Sequence, residues 1–255
     1  MAFPKNSYAN FYNKVRRLLR EGYIAEVDGA GLNGILLQLT KKGFNFLKSD
    51  LNQLREERFA PQSVNHDYWA TAVQLGDLIF GIPSGIKFFT EQEFHCTDDS
   101  NLPEWVPKSR SHVPDGFTSV QGSGGSRVIA FEVDLNIKEM LRYDKAGFYF
   151  DAGLSKFDVV LWVCGNSWIL NRIKERLQGL KLRNIDIHQF MLTSDFRKDG
   201  WEAKIVHGSL AGQTIREIHL LQPRCKPVVN PLQPPCKRAT DIFFPKTKTQ
   251  RSIKR

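Results

Sequence analysis

Four residues have the types and spacing to act together on a charged substrate: Asp115, Glu132, Asp134 and Lys138. Pro114-Asp115-Gly116 opens one extended run, PDGFTSV, and RVIAFEVDL carries Glu132-Val133-Asp134 in the next. Between them QGSGGS has the chemistry of a turn, and a turn joining Val120 to Arg127 puts Asp115 directly opposite Glu132. Side chains alternate along a strand, so Glu132 and Asp134 share one face while Ile129, Phe131, Val133 and Leu135 form the other. Three carboxylates then converge on one side of a hairpin. Like charges facing each other across strands destabilise by roughly 0.2 to 1 kcal/mol unless something neutralises them. A divalent cation is the simplest neutraliser, and an all-oxygen set favours magnesium or manganese over zinc.

Such an ion suits phosphodiester hydrolysis, because it polarises the phosphate, acidifies an attacking water and stabilises the leaving oxygen. A nearby lysine adds positive charge where the transition state gathers negative charge. Pro114-Asp115, the Glu132-Val133-Asp134 strand and Lys138 together resemble the PD-(D/E)XK nuclease signature. In its simple form the lysine follows the acid by two positions, where this chain has Asp134. Glu132, Asp134 and Lys138 instead spell E-x-D-x-x-x-K, similar to the E-x-E-x-x-x-K variant of the plasmid replication-relaxation family, whose members join a winged helix to a nuclease-like domain. Asn65-His66-Asp67, the basic and aromatic run with Arg142, Tyr143 and Tyr149, and the apolar LWVC run follow in that family's order. The resemblance implies plasmid or mobile-element DNA processing. It implies catalytic roles for Asp115, Glu132, Asp134 and Lys138, and magnesium held by the three acids. Its expected partners are double-stranded DNA and other plasmid replication or mobilisation proteins.

The elements that must position these residues are legible as patterns. SVNHDYWATAVQLGDLIFG is a helix expectation with Tyr68, Ala72, Leu75 and Ile79 on one stripe. GIKFFTEQEF reads as a strand, CTDDSNLPEWVPKSRS as a loop and IKEMLRYDKAGFYF as a helix that Lys138 opens. FDVVLWVC is the continuous apolar run of a doubly covered strand. A helix from Ser167 and strands at NIDIHQFML and WEAKIVH follow. The expected fold is α/β, in the mixed α+β sense: a restriction-endonuclease-like αβββαβ core over residues 59 to 223, preceded by a partial winged helix over residues 1 to 58.

That first segment reads as a helix from Ser7, a hairpin of YIAEV and GILLQLT around DGAGLNG, and a helix opening at Thr40. RRLLREGYIAEV followed by LQLTKKGFNFL resembles the recognition helix, wing and LTxxG helix of bacterial winged-helix DNA-binding domains. The two helices expected ahead of the recognition helix are missing, so either the chain begins late or a partner supplies their support. Asn6, Ser7, Asn10, Asn13 and Lys14 are placed for base readout, with Arg16, Arg17, Lys41 and Lys42 beside them for DNA contact.

With 255 residues, 41% hydrophobic and 25% charged, the chain can bury a core, which argues against intrinsic disorder and a disulfide-stapled miniprotein. Cys96, Cys164, Cys225 and Cys236 form no metal or disulfide pattern. No membrane segment or signal core is seen, and a cytoplasmic location is expected. The net charge of +9 is uneven. Residues 1 to 58 hold 10 Lys/Arg against 6 Asp/Glu, residues 59 to 223 hold 17 against 20, and residues 224 to 255 hold 9 against Asp241 alone. Basic ends point to a polyanion. The last segment, with its prolines and lack of periodicity, reads as a disordered basic tail.

Plainer readings stand beside these. Pro-Asp-Gly occurs in turns, Glu132 and Asp134 suit a solvent-facing strand, and Lys138 suits a helix start. His66 reads as a structural group and His95 has no role. Two other functions fit the same sequence: a catalytically inactive DNA-binding or assembly factor, and a winged-helix transcriptional regulator.

Overall fold

A computed structural model describes residues 5–27, 36–48, 64–75, 86–122, 125–152 and 156–220. The chain divides into Met1–Pro223 and Arg224–Arg255. The second unit, where the basic tail is expected, lies outside the described residues, as does the DGAGLNG hairpin tip.

Helix α1 (Lys5–Arg20) leads into an antiparallel pair, β1 (Ile24–Val27) and β2 (Leu36–Leu39), with Ile24 opposite Leu39, and then α2 (Lys41–Lys48). The LTxxG run has a physical reason. Thr40 Oγ1 accepts from the Gly43 N–H at 3.1 Å, as an N-cap should. The same hydroxyl donates to the Gly22 carbonyl at 2.6 Å, tying α2 to the end of α1. A Cβ on Gly43 would lie 2.0 Å from the Tyr23 carbonyl oxygen, so this close approach admits only glycine. Along α1, Val15 and Leu19 are half-buried, whereas Phe11 and Leu18 of the same expected stripe are 64% and 39% exposed.

The body is mixed α/β. In chain order come α3 (Val64–Leu75), β3 (Ile86–Thr90), α4 (Glu91–Cys96), β4 (Gly116–Gly122), β5 (Gly125–Asp134), α5 (Met140–Ala152), β6 (Val159–Cys164), α6 (Ser167–Gly179), β7 (His188–Leu192), α7 (Thr193–Asp199) and α8 (Ile215–Leu220). One sheet runs β3-β4-β5-β6-β7, antiparallel from β3 to β5 and parallel from β5 to β7. Its centre is covered on both sides. Val128, Ala130, Val160 and Trp162 pack with Phe117 and Phe150 on one face, and Ile129, Phe131, Val133 and Leu161 with Val73 and Trp201 on the other. Every residue of β6 is buried, as its unbroken apolar run requires.

Several expectations change. The β4–β5 ladder continues to Gly122 opposite Gly125, so the turn is tighter than QGSGGS, yet Val120 still faces Arg127 because both strands lengthen equally. GIKFFTEQEF is half strand and half helix. Thr90 and Glu93 form a reciprocal capping box, with Glu93 N–H to Thr90 Oγ1 at 3.1 Å and Thr90 N–H to Glu93 Oε2 at 2.7 Å. Helix α5 starts at Met140, so Lys138 precedes it rather than opening it. WEAKIVH forms a 3-10 turn at Gly200–Glu202 and isolated bridges instead of a strand. On α3 the inward residues are Trp69 and Val73, while Tyr68 is 38% exposed. The helix is apolar at both pairs of positions, and the larger indole takes the core, edge-on to Phe196 at 6.2 Å.

Candidate functional site

The carboxylate residues gather where β4 begins and β5 ends. Gly116 pairs with Phe131 as the last step of the ladder, and the preceding Asp115 N–H also turns to Phe131 O, at 3.0 Å, which breaks the regular register there. Asp115 therefore sits just outside the ladder, not directly paired with Glu132 as the uninterrupted register would have it, and at the opposite end of β4 from the turn. Alternation puts Glu132 and Asp134 on the Val128–Ala130 face of β5. All three acids are nonetheless buried, with Asp115 6%, Glu132 4% and Asp134 2% exposed. Gly116 has its own reason: a Cβ there would overlap the side chain of Gln74, which α3 lays against this strand end.

Each buried acid has a basic partner. Lys138 Nζ lies 2.8 Å from Asp134 Oδ1. His112 Nε2 lies 2.5 Å from Glu132 Oε1. His66 stands between Asp67 and Asp115, 3.4 Å from a carboxylate oxygen of each. Lys138 reaches back from the segment before α5, and its backbone N–H is held by Tyr143 Oη at 2.9 Å.

Burial pushes Glu132 and Asp134 above the usual carboxylate range, and neighbouring carboxylates add to it, while His112 and Lys138 respectively oppose it. Burial would also raise Asp115, but the hydrogen bond and charge of His66, the charge of Lys138 and the Val133 N–H outweigh it and hold Asp115 low. For His66, burial favours the neutral ring, yet its hydrogen bond and charge interaction with Asp115 prevail and raise it to about 9. His112 is raised against burial by the charge and hydrogen bond of Glu132.

A fourth acid belongs to this neighbourhood. Thr90 pairs with Gly116, and Glu91, the first residue of α4, follows that pair closely enough to feel the charges of Asp115, His66 and Glu132. Burial first, and then the charge of Asp115, raise Glu91 to about 7. His95, one helical turn on, lies 3.6 Å from its carboxylate.

Of the residues expected from sequence, the structure brings together Asp115, Glu132, Asp134 and Lys138, with His66 beside them. It adds His112 and Glu91. His112 sits in an aperiodic polar loop, where no pattern marks it. Glu91 carried a visible signal in Thr90-x-x-Glu93, which places it in the first turn of a helix directly after a strand. Among the described residues, no three His, Cys, Asp or Glu side chains stand together as ready metal ligands. The donor chemistry still suits a hard dication, since three buried carboxylates lie in one neighbourhood and His66, His112 and Lys138 now neutralise the charge that an ion would.

The residues expected to touch DNA lie on α1 and α2. Asn10, Asn13, Lys14, Arg16 and Arg17 are exposed on α1, and Lys41 and Lys42 on α2. The helix includes Ser7, whose side chain lies outside the described residues; Asn6 is in the same position. Arg16 lies over the Tyr12 ring at 4.5 Å, Arg17 pairs with Glu21 at 2.8 Å, and Lys42 bonds the Glu21 carbonyl at 2.7 Å. No helix among the described residues is long and apolar enough to cross a membrane. Comparisons with protein-family models, with curated proteins and with solved structures find no match.

Proposed function

We propose that the chain is a DNA-binding protein of plasmid or mobile-element replication-relaxation whose PD-(D/E)XK-like site is a magnesium-dependent deoxyribonuclease. The observation that carries this reading is the cluster of three buried acids, Asp115, Glu132 and Asp134, where β4 begins and β5 ends, with Lys138 against Asp134. The chain order α3, β3, α4, β4, β5, α5, β6, which is a restriction-endonuclease-like order with the short helix α4 set between its first two strands, supports this reading. In this reading residues 1 to 58 are a partial winged helix that contacts duplex DNA, residues 59 to 223 the nuclease-like domain and residues 224 to 255 a basic tail. The protein acts in the cytoplasm, beside other plasmid replication or mobilisation proteins.

Asp115, Glu132 and Asp134 would hold magnesium or manganese, which supplies Lewis acidity toward the phosphate and an acidified water. Lys138 offers its ammonium to the phosphoryl oxygens as negative charge builds there. His66 keeps the Asp115 carboxylate ionised, and the Val133 N–H fixes its direction. His112 holds Glu132 in one orientation and takes up the charge of that carboxylate when no cation does.

The test is cleavage of supercoiled and linear DNA by the full chain, with and without magnesium. Nicking or cutting that needs the ion and falls at least about 100-fold in Asp115→Asn and Glu132→Gln is the expected result. Identical behaviour of the wild type and both variants overturns it. The one-to-one pairing of acids with bases, together with the lack of a ready ligand trio among the described residues, favours a second reading, a catalytically inactive DNA-binding or assembly factor. Tight DNA binding without cleavage at any magnesium or manganese concentration selects that reading.

A further inference from the structure

Beside β7, the last strand of the sheet, lies a cavity of about 300 Å3 whose lining includes Lys174 and Gln178 of α6, Ile185, Asp186, His188 and Phe190. It is separate from the acidic cluster. His188 is level with Val160 and Ala130, whereas Asp134 is level with Cys164 and Leu192 further along the parallel strands.

His188 fixes what the cavity asks for. Trp162 Nε1 donates to His188 Nδ1 at 3.0 Å. An indole N–H can only donate, so Nδ1 accepts and the ring's single proton sits on Nε2. His188 is 2% exposed, and among the described residues its Nε2 has no hydrogen-bond partner. Burial also holds the ring neutral, pushing it down to about 4. A buried donor with no acceptor is uncommon in native proteins, where such groups are satisfied by protein, ordered water or ligand. This donor belongs to a residue that lines a cavity large enough for a small molecule.

The rest of the lining narrows the chemistry. Lys174 contributes a cation whose present partner, Asn171 Oδ1 at 3.2 Å, is exposed and replaceable. Ile185 and Phe190 contribute apolar surface. Asp186, exposed and on the same lining, disfavours a second anionic group on the ligand. We propose that this cavity binds a small molecule joining one oxyanion, carboxylate or phosphate, to an apolar ring or chain. The oxyanion accepts from His188 Nε2–H and pairs with Lys174, and the apolar part lies against Ile185 and Phe190. This site is independent of the nuclease reading and stands or falls without it.

The experiment titrates the full chain with benzoate and, separately, with phenyl phosphate, using benzyl alcohol as the neutral analogue. The readouts are binding heat and the imidazole Nε2–H signal of His188 in long-range nitrogen–proton spectra. At least one anion is expected to saturate and move that signal, with benzyl alcohol weaker by about tenfold or more, as loss of a charge-assisted hydrogen bond implies. Whichever anion binds more tightly identifies the oxyanion as carboxylate or phosphate. Lys174→Ala, a change at a half-buried position of α6, weakens the anion by a similar factor. The proposal is overturned if neither anion saturates below about 10 mM, a limit corresponding to negligible affinity. It is equally overturned if binding leaves the His188 signal unmoved, if benzyl alcohol binds as tightly as the anions, or if Lys174→Ala changes nothing.

Discussion

The carboxylate of Asp115 accepts a hydrogen bond from the backbone N–H of Val133 at 2.5 Å, so the acid just before β4 is fastened to the residue between the two acids of β5. This bond makes Asp115 part of the fold as well as part of the site, and the two roles separate by substitution. Asp115→Ala leaves the buried Val133 N–H without its acceptor and should cost about 1–3 kcal/mol in denaturant unfolding. Asp115→Asn keeps an oxygen for Val133 and should cost less, yet it removes the charge that binds a cation. Unfolding and DNA cleavage measured on both variants check this. Equal stability loss in the two would show that charge, through His66, holds this corner together more than the Val133 bond does.

The histidines set a pH signature. His66, ordinarily near 6.5, is raised to about 9 by Asp115 against the effect of burial, and His112 is raised by Glu132. A raised folded-state value means protons are bound more tightly in the native chain. That stability is complete below pH 6.5 and is lost as pH climbs toward 9. Glu91, raised from 4.5 to about 7, acts in the same direction over its own lower window. Thermal unfolding in chelator should therefore show Tm falling between pH 6.5 and 9, with a shallower fall in His66→Gln. A flat or rising Tm across that range contradicts the His66–Asp115 pairing.

The register of β4 on β5, with Val120 opposite Arg127, was readable because strand alternation and a turn leave few registers, whereas the break in pairing at Asp115 was not. Tightening the turn by equal steps on both strands does not alter which residues face each other. The same logic fails where two answers satisfy one pattern, as on α3, where Tyr68 and Ala72 compete with Trp69 and Val73 for the core. It fails entirely for His112. Its contact with Glu132 depends on a loop folding back over α5, where it meets the Tyr149 and Phe150 rings at 5.5 and 5.7 Å. Nothing local in SRSHVPDG encodes that contact. The bases that neutralise the acids are tertiary partners, so an isolated strand pair of the sequence suggests a metal where the fold has first supplied His66, His112 and Lys138.

Gly43 and Thr40 should control the integrity of the hairpin and its closing helix. Gly43→Ala drives a Cβ against the Tyr23 carbonyl, a backbone atom that cannot turn aside, and should destabilise this segment by about 1–3 kcal/mol. Thr40→Val keeps the shape and loses both the cap and the bond to Gly22, at about 1 kcal/mol. Hydrogen exchange at the α2 amides reads both changes. Exchange as slow as in the wild type would mean that the LTxxG run has no structural duty here.

The basic residues of α1 and α2 should divide into two kinds. Lys14 and Arg16 are exposed on α1, and among the described residues Arg16 makes only a cation–π contact with the exposed Tyr12, so little of the described fold depends on them. If they meet phosphates, Lys14→Ala and Arg16→Ala each lower the slope of log affinity against log salt by about 1, with Tm unchanged. Lys42 is different, because its ammonium bonds the Glu21 carbonyl and lies 4.6 Å from the Tyr23 ring centre, bracing the junction between α1 and the hairpin. Lys42→Ala should therefore speed hydrogen exchange across that junction and weaken DNA binding together. Arg17 already pairs with Glu21 at 2.8 Å and should change the slope by less than its neighbours. Fluorescence anisotropy with a duplex oligonucleotide at several salt concentrations separates these cases. An unchanged slope in both Lys14→Ala and Arg16→Ala removes α1 from the DNA contact and leaves basic residues elsewhere in the chain to carry it.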